Sequence, residues 1–198
     1  MTAKQPTNLS SETPPPELPV TGADALAHLR LLAQKVDAFF TRVEQQHADH
    51  MACRTGCNDC CHVRLTITSV EAEAIRHHWP QLPEEVRATL RAHAQGPSDS
   101  LCVALQDDGR CGIYEMRPLV CRSHGLPLRL RQDKRLPIID ACFRNFVETG
   151  PGAVAPDCVL DQQTLSTALL AIDAAFARAE GRPAGERVEL AALLASLP

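Results

Sequence analysis

Nine cysteines punctuate this chain of 198 residues, at Cys53, Cys57, Cys60, Cys61, Cys102, Cys111, Cys121, Cys142 and Cys158. The first four fall within nine residues, Cys53 to Cys61, among the loop formers Thr55, Gly56, Asn58 and Asp59. Crowding of this kind lets one loop wrap an ion, because metal–sulfur bonds of about 2.3 Å must converge on one point. Four thiolates satisfy one tetrahedral ion, so eight suit two ions or one larger cluster. Cys60 and Cys61 are adjacent, and neighbouring side chains of extended backbone point to opposite sides. They are therefore expected to serve different metals, or one of them to bridge. A cysteine can equally be a small buried hydrophobe. That is the reading for Cys158, which sits in an apolar turn before a helix and is excluded from the ligand set. His62 and His124 lie beside ligand loops and are alternative donors. His77 and His78 are read as surface residues.

Disulfides fit this pattern poorly. The cysteine count is odd, two cysteines are adjacent, and the N-terminus has no apolar stretch of a secretory signal. No segment approaches the length of a membrane span. The expected compartment is the cytoplasm, where thiols stay reduced and act as ligands. A formal net charge of −4 argues against a general phosphate-binding surface, so neither nucleic acid nor membrane is an expected partner. Only 4% of the residues are aromatic, so the core must rest on Leu, Ala, Val and Ile.

The elements that position the cysteines are mostly helical. Residues 1–20, with Pro14, Pro15, Pro16 and Pro19, read as a disordered tail, and 21–198 as one domain with its cysteine region at 50–145. Leu26, Leu29, Leu32, Val36, Phe39 and Val43 form one stripe of a helix running to about His50 and delivering Cys53. Val63–Ile67 reads as a short extended piece. Thr68 and Glu71 match a capping box that opens a helix ending near Trp79-Pro80. A further helix runs from Pro83 to about Gln95. Residues 101–114 read as a hairpin about Asp107-Asp108-Gly109, bringing Cys102 and Cys111 together. Residues 125–140 look irregular. Asp161 caps a long helix striped by Leu165, Leu169, Ile172, Phe176 and Ala179, which stops at Gly181. A last helix covers about Glu186–Leu197. The fold class is thus mainly α: a small helical domain with irregular cysteine-rich loops and one short β-hairpin, stabilised by metal. The two long helices are expected to pack together beside the cluster.

The early quartet ending in Cys60-Cys61, then Cys102, then Cys111-Gly112-Ile113-Tyr114-Glu115-Met116-Arg117-Pro118-Leu119-Val120-Cys121-Arg122, resembles the bacterial YkgJ-type cysteine-cluster proteins. These are also called the zinc- or iron-chelating CxxCxxCC domain. The resemblance covers roughly residues 50–145. It departs from the family shorthand in having three residues rather than two between Cys53 and Cys57. It implies metal chelation, with Cys142 as the eighth ligand after Cys53, Cys57, Cys60, Cys61, Cys102, Cys111 and Cys121. It implies no reaction.

The cofactor is accordingly about two zinc ions, or iron, including an iron–sulfur cluster with a redox, sensing or enzyme-partner role. Cu(I) handling is a lesser alternative, since no thioether pathway accompanies the thiolates. No residue is singled out as catalytic. Cys53, Cys57 and Cys60 have the spacing of the radical SAM signature, but Asp59 stands where that signature usually has an aromatic, and repeated strand–helix units are absent. Cys57-Asn58-Asp59-Cys60 lacks the βαβ setting of a thiol oxidoreductase. Arg117 and Arg122 either offset thiolate charge or form structural ion pairs. Tyr114 is expected to pack against the cluster loop, Pro118 to fix the entry to the Cys121 loop, and Gly56 and Gly112 to let backbone N–H groups approach sulfur.

Overall fold

The structure, a computed structural model, describes residues 21–96, 101–131 and 135–198. The Pro-rich tail expected at 1–20 lies outside the described residues. Thr21 opens helix α1, Gly22–Gln46, through a full capping box: the Asp24 amide donates to the Thr21 hydroxyl at 3.1 Å, and the Asp24 carboxylate accepts from the Thr21 amide at 2.9 Å. Its apolar stripe buries Ala25, Leu29, Val36 and Val43. The α-helix ends four residues short of His50. A 3-10 turn at Ala48–His50 completes the path to Cys53.

The expected capping box at Thr68 is present and opens α2, Ser69–His78, followed by a 3-10 turn at Trp79–Gln81. Helix α3, Glu84–Gln95, has Pro83 as its N-cap rather than inside its first turn. Pro118 likewise precedes the short α4, Leu119–Ser123, which carries Cys121. Asp161 caps α5, Gln162–Ala179, by accepting from the Thr164 amide at 2.9 Å. Helix α6 is Leu190–Ser196.

Three apolar clusters hold these helices. α1 and α5 pack against each other, with Leu29, Val36, Val70, Leu119, Leu165 and Phe176 between them and α2. α2, α3 and α6 share a second cluster, around Ile75, Trp79, Leu90, Ile113 and Leu193. Cys102 and Cys111 pack against its edge. Val43, Leu126, Phe146, Val154 and Cys158 form a third, at the C-terminal end of α1. The cysteine-bearing loops thus pack against different clusters, 101–118 against the second through Ala104 and Ile113, and the stretch before Cys142 against the third through Ala141.

The β structure departs from the sequence expectation. The extended piece is β1, Thr66–Thr68, and its antiparallel partner is β5, Arg187–Glu189. β5 occupies the start of the segment read as the last helix. Pairing with β1 overrides local helix preference there. The 101–114 hairpin keeps its turn but shrinks to one bridge, Leu105 with Cys111. The supposedly irregular 125–140 stretch instead contains β2, Leu128–Leu130, and β3, Ile138–Asp140, paired antiparallel. β2 also pairs in parallel with β4, Leu160–Asp161. Pro127 and Pro137 sit just outside β2 and β3, where proline does not interrupt a ladder. No helix among the described residues is long and apolar enough to cross a membrane.

Candidate metal centre

The proposed ligands group into two neighbourhoods by which cysteines act on one another. The first joins the beginning and the end of the cysteine region. The Asn145 amide nitrogen bonds the Cys142 carbonyl at 2.8 Å, and the Asn145 side chain donates to the Cys53 Sγ at 3.3 Å. Burial pushes the Cys53 thiol up. The Asn145 hydrogen bond opposes that shift, and the nearby Cys142, Cys57 and Cys60 reinforce it.

The second neighbourhood is built by backbone pairing. The Cys102 amide donates to the Cys61 carbonyl at 2.7 Å, and the bridge between Leu105 and Cys111 folds the turn back. α4 adds Cys121. Burial is the first cause that raises the Cys102, Cys111 and Cys121 thiols, and it takes Cys121 up to about 12. Cys121 also responds to the charges of Cys102, Cys111 and Cys60.

Cys60 stands between the two. It is the one exposed cysteine of the nine. The Cys61 thiol donates to it, which lowers Cys60 and raises Cys61, and His124 and Arg117 add favourable charge at Cys60. Brought down to about 6, Cys60 is a thiolate at neutral pH, and the thiolate is the nucleophile. In metal-free protein at pH 7, Cys60 is therefore expected to be alkylated first of the nine. Timed iodoacetamide labelling with peptide mass mapping checks this, and first labelling at Cys121 would contradict it.

Among the described residues, no three Cys, His, Asp or Glu side chains already converge closely enough to hold an ion. The sulfurs are neighbours across loops, not a finished coordination shell. The donor chemistry is nevertheless uniform. Soft sulfurs dominate, and these suit zinc or iron. Cys158 is buried against Gln46, its thiol donating to the Gln46 Oε1 at 3.1 Å, consistent with a core role. His62 and His124 are exposed, and the His124 charge reaches Cys60.

The arginines divide. Arg122 is 9% exposed and structural: it bonds Asp37 at 2.6 Å, the Arg117 carbonyl at 3.0 Å and the Glu115 carbonyl. It thereby ties α1 to the loop that enters α4. Lysine cannot span three acceptors with one planar fork. Arg122→Lys should cost about 2 kcal/mol in urea unfolding of the metal-loaded chain, through unsatisfied buried acceptors. Arg117 also pairs with Asp37, at 3.6 Å, and its charge acts in addition at Cys60 and Cys111. Its guanidinium lies 4.2 Å over the Tyr114 ring. Tyr114 is 54% exposed, so it supports Arg117 from outside instead of packing into the cluster loop. Arg144, which sequence reasoning passed over, pairs with Asp59 and holds its carboxyl below the usual range. The Cys57 thiol donates to the same carboxylate at 3.7 Å.

The glycine expectation also changes. A Cβ on Gly112 would meet Leu90 at 2.8 Å, a core contact, and one on Gly56 would meet nothing within 4 Å. Gly125 is the glycine at sulfur: its φ is +98°, and a Cβ there would lie 2.6 Å from the Cys53 Sγ.

A helical frame presenting thiols on irregular loops defines a small cysteine-rich protein. Its segment 52–138 matches the model of the CxxCxxCC family, described as "Putative zinc- or iron-chelating domain". The match takes in seven of the eight proposed ligands and stops short of Cys142. No curated protein and no solved structure matches the chain.

Proposed function

We propose that this chain is a two-ion zinc module: Cys53, Cys57, Cys60 and Cys142 hold one ion, and Cys61, Cys102, Cys111 and Cys121 hold the other. The observation that carries the reading is the division of the sulfurs into two neighbourhoods that meet at the adjacent pair Cys60 and Cys61. The extended backbone expected at this pair is instead a 3-10 turn, Asp59–Cys61, in which the Cys61 thiol donates to Cys60, so the two ions of this reading lie side by side across that contact. Zinc suits closed four-thiolate sites and needs no assembly machinery. The exposed Cys60 is where an ion enters or leaves, which fits storage and delivery. Residues 21–198 act as one unit, in the cytoplasm, with metal ions as the ligand and no nucleic-acid or membrane partner.

The test is anaerobic purification followed by metal analysis of the wild type and of single Cys→Ser variants. Colourless protein with about two zinc per chain is expected. Cys53→Ser should lose one ion and Cys121→Ser the other. Brown protein with iron and acid-labile sulfide would replace zinc by an iron–sulfur centre. Loss of the same single ion in both variants would overturn the two-site division.

A further inference from the structure

Asn145 is the most heavily used buried amide near the cysteines, and no sequence motif points to it. It is 4% exposed. Its Oδ1 accepts from the Ala52 amide at 2.8 Å. Its Nδ2 donates to the Gly125 carbonyl at 2.7 Å and to the Cys53 Sγ at 3.3 Å. One side chain thus joins three stretches distant in sequence: the run into Cys53, the turn after α4, and the Cys142 loop. Its surroundings are shaped for it. A Cβ on Gly125 would lie 3.1 Å from the Asn145 Nδ2 as well as 2.6 Å from the Cys53 Sγ, so both contacts need glycine. The next residue, Phe146, has a φ of +56°, the one positive value outside glycine among the described residues. Its amide donates to the His50 carbonyl at 2.8 Å and its ring stacks on His50. An aromatic residue in the left-handed region is unfavourable and persists only where its surroundings enforce it.

We infer that Asn145 is a positioning residue for the first metal site, its N–H donor orienting the Cys53 sulfur and balancing part of its charge while its amide group fixes Cys53 beside Cys142. Groups that hydrogen-bond a ligand atom orient it and tune the metal, and losing one typically weakens metal affinity about 10- to 100-fold. The inference rests on Cys53 being a ligand, as proposed above. Asparagine suits the task chemically: one end accepts the backbone amide while the other keeps two N–H donors. Aspartate would retain the acceptor, lose both donors and set a carboxylate against sulfur.

The test uses the full zinc-loaded chain and three variants, Asn145→Asp, Gly125→Ala and Cys53→Ser. Zinc release to a chromophoric chelator is timed, and cobalt(II)-substituted protein gives the sulfur-to-metal charge-transfer band. Asn145→Asp should keep the wild-type helical circular dichroism, release one of its two ions at least about tenfold faster, and shift part of the charge-transfer band. The second ion should leave at the wild-type rate, which general loosening of the fold would not allow. Gly125→Ala should speed loss of the same ion by forcing the Cys53 sulfur aside. Wild-type release and an unchanged band in Asn145→Asp, with an ion missing from Cys53→Ser, would overturn the inference alone. A full complement of ions in Cys53→Ser would overturn the two-site reading, and the inference with it.

Discussion

Removing the metal with a strong chelator should collapse the cysteine loops while leaving much of the helical frame. The stretch 47–65 contains only 3-10 turns, and the stretch 101–118 contains one bridge and a 3-10 turn at Tyr114–Met116. In 52–62 the backbone hydrogen bonds within the segment are local turns, and Arg54, Thr55, Gly56 and Cys60 are exposed, whereas 101–118 has its own ladder of turn bonds and buries Ala104 and Ile113. Without an ion, the sulfurs of each neighbourhood have no shared partner. Burial has already raised Cys102, Cys111 and Cys121, so in the metal-free state these three sulfurs are neutral and offer one another no charge-based attraction. By contrast, the α1–α2–α5 cluster and the α2–α3–α6 cluster are apolar and continuous. Structural metal sites return binding energy as folding energy. Loss of several kcal/mol in a chain of this size lowers the thermal midpoint by about 10 °C or more. Hydrogen exchange should show protection disappearing first in 52–62, with α1 and α5 retained and 101–118 slower to open because Ala104 and Ile113 anchor it in the α2–α3–α6 cluster. A melt and an exchange pattern unchanged by complete chelation would contradict this. Acid should act in the same sense. Metal binding needs thiolates, so protons compete for them, and the ions should be lost as pH falls.

Local signals were legible where one side chain decides the outcome. Thr68 with Glu71, and Asp161, each fix a helix start through bonds within three residues, so the sequence carries the whole cause. The stripe of α1 was readable for the same reason. What the sequence did not carry is pairing at a distance. β5 forms because Thr66–Thr68 lies alongside it, and β2 forms between strands Ile138–Asp140 and Leu160–Asp161. Three-residue strands have too few positions for alternation to register. At the site, residue type and crowding identified the cysteines. They did not identify Asn145, Arg144 or Gly125, because an amide, a guanidinium and a glycine become informative only once the fold sets them beside sulfur. Arg122 and Arg117 illustrate the limit. The two share a motif and both pair with Asp37, yet only Arg122 also bonds two carbonyls, while the charge of Arg117 also acts at Cys60 and Cys111.

Glu71→Ala should be the most damaging single substitution outside the cysteines, and it should injure the metal centre from a distance. Glu71 is 5% exposed, and each of its oxygens is occupied. Oε2 accepts from the Thr68 amide at 3.0 Å and from the Thr68 hydroxyl at 2.9 Å, closing the cap of α2. Oε1 accepts from the Leu119 amide at 2.9 Å, at the first turn of α4. The same helix start is anchored from the other side, where the Val70 amide donates to Asp173, a residue of α5 that is 1% exposed. Two carboxylates thus sit at the positive end of α2, where the helix dipole favours them. Alanine at 71 leaves three buried donors without an acceptor. Each orphaned buried donor costs roughly 1–3 kcal/mol, so the loss should be about 4 kcal/mol, near the upper end for point substitutions. Urea unfolding of the metal-loaded protein measures it, and a loss under about 1 kcal/mol would refute the argument. Glu71→Gln keeps acceptor oxygen at one position only, so its cost should fall between that of alanine and the wild type. The effect should also reach the cysteines. The Leu119 amide is one tie of α4 to the frame, beside the Arg122–Asp37 bond and the buried Leu119 side chain, and Cys121 lies two residues on. Freed from Glu71, α4 can turn, and the ion assigned to Cys61, Cys102, Cys111 and Cys121 should dissociate faster than the ion at Cys53. An even loosening of both ions would mean that α4 is held in place by something other than this carboxylate.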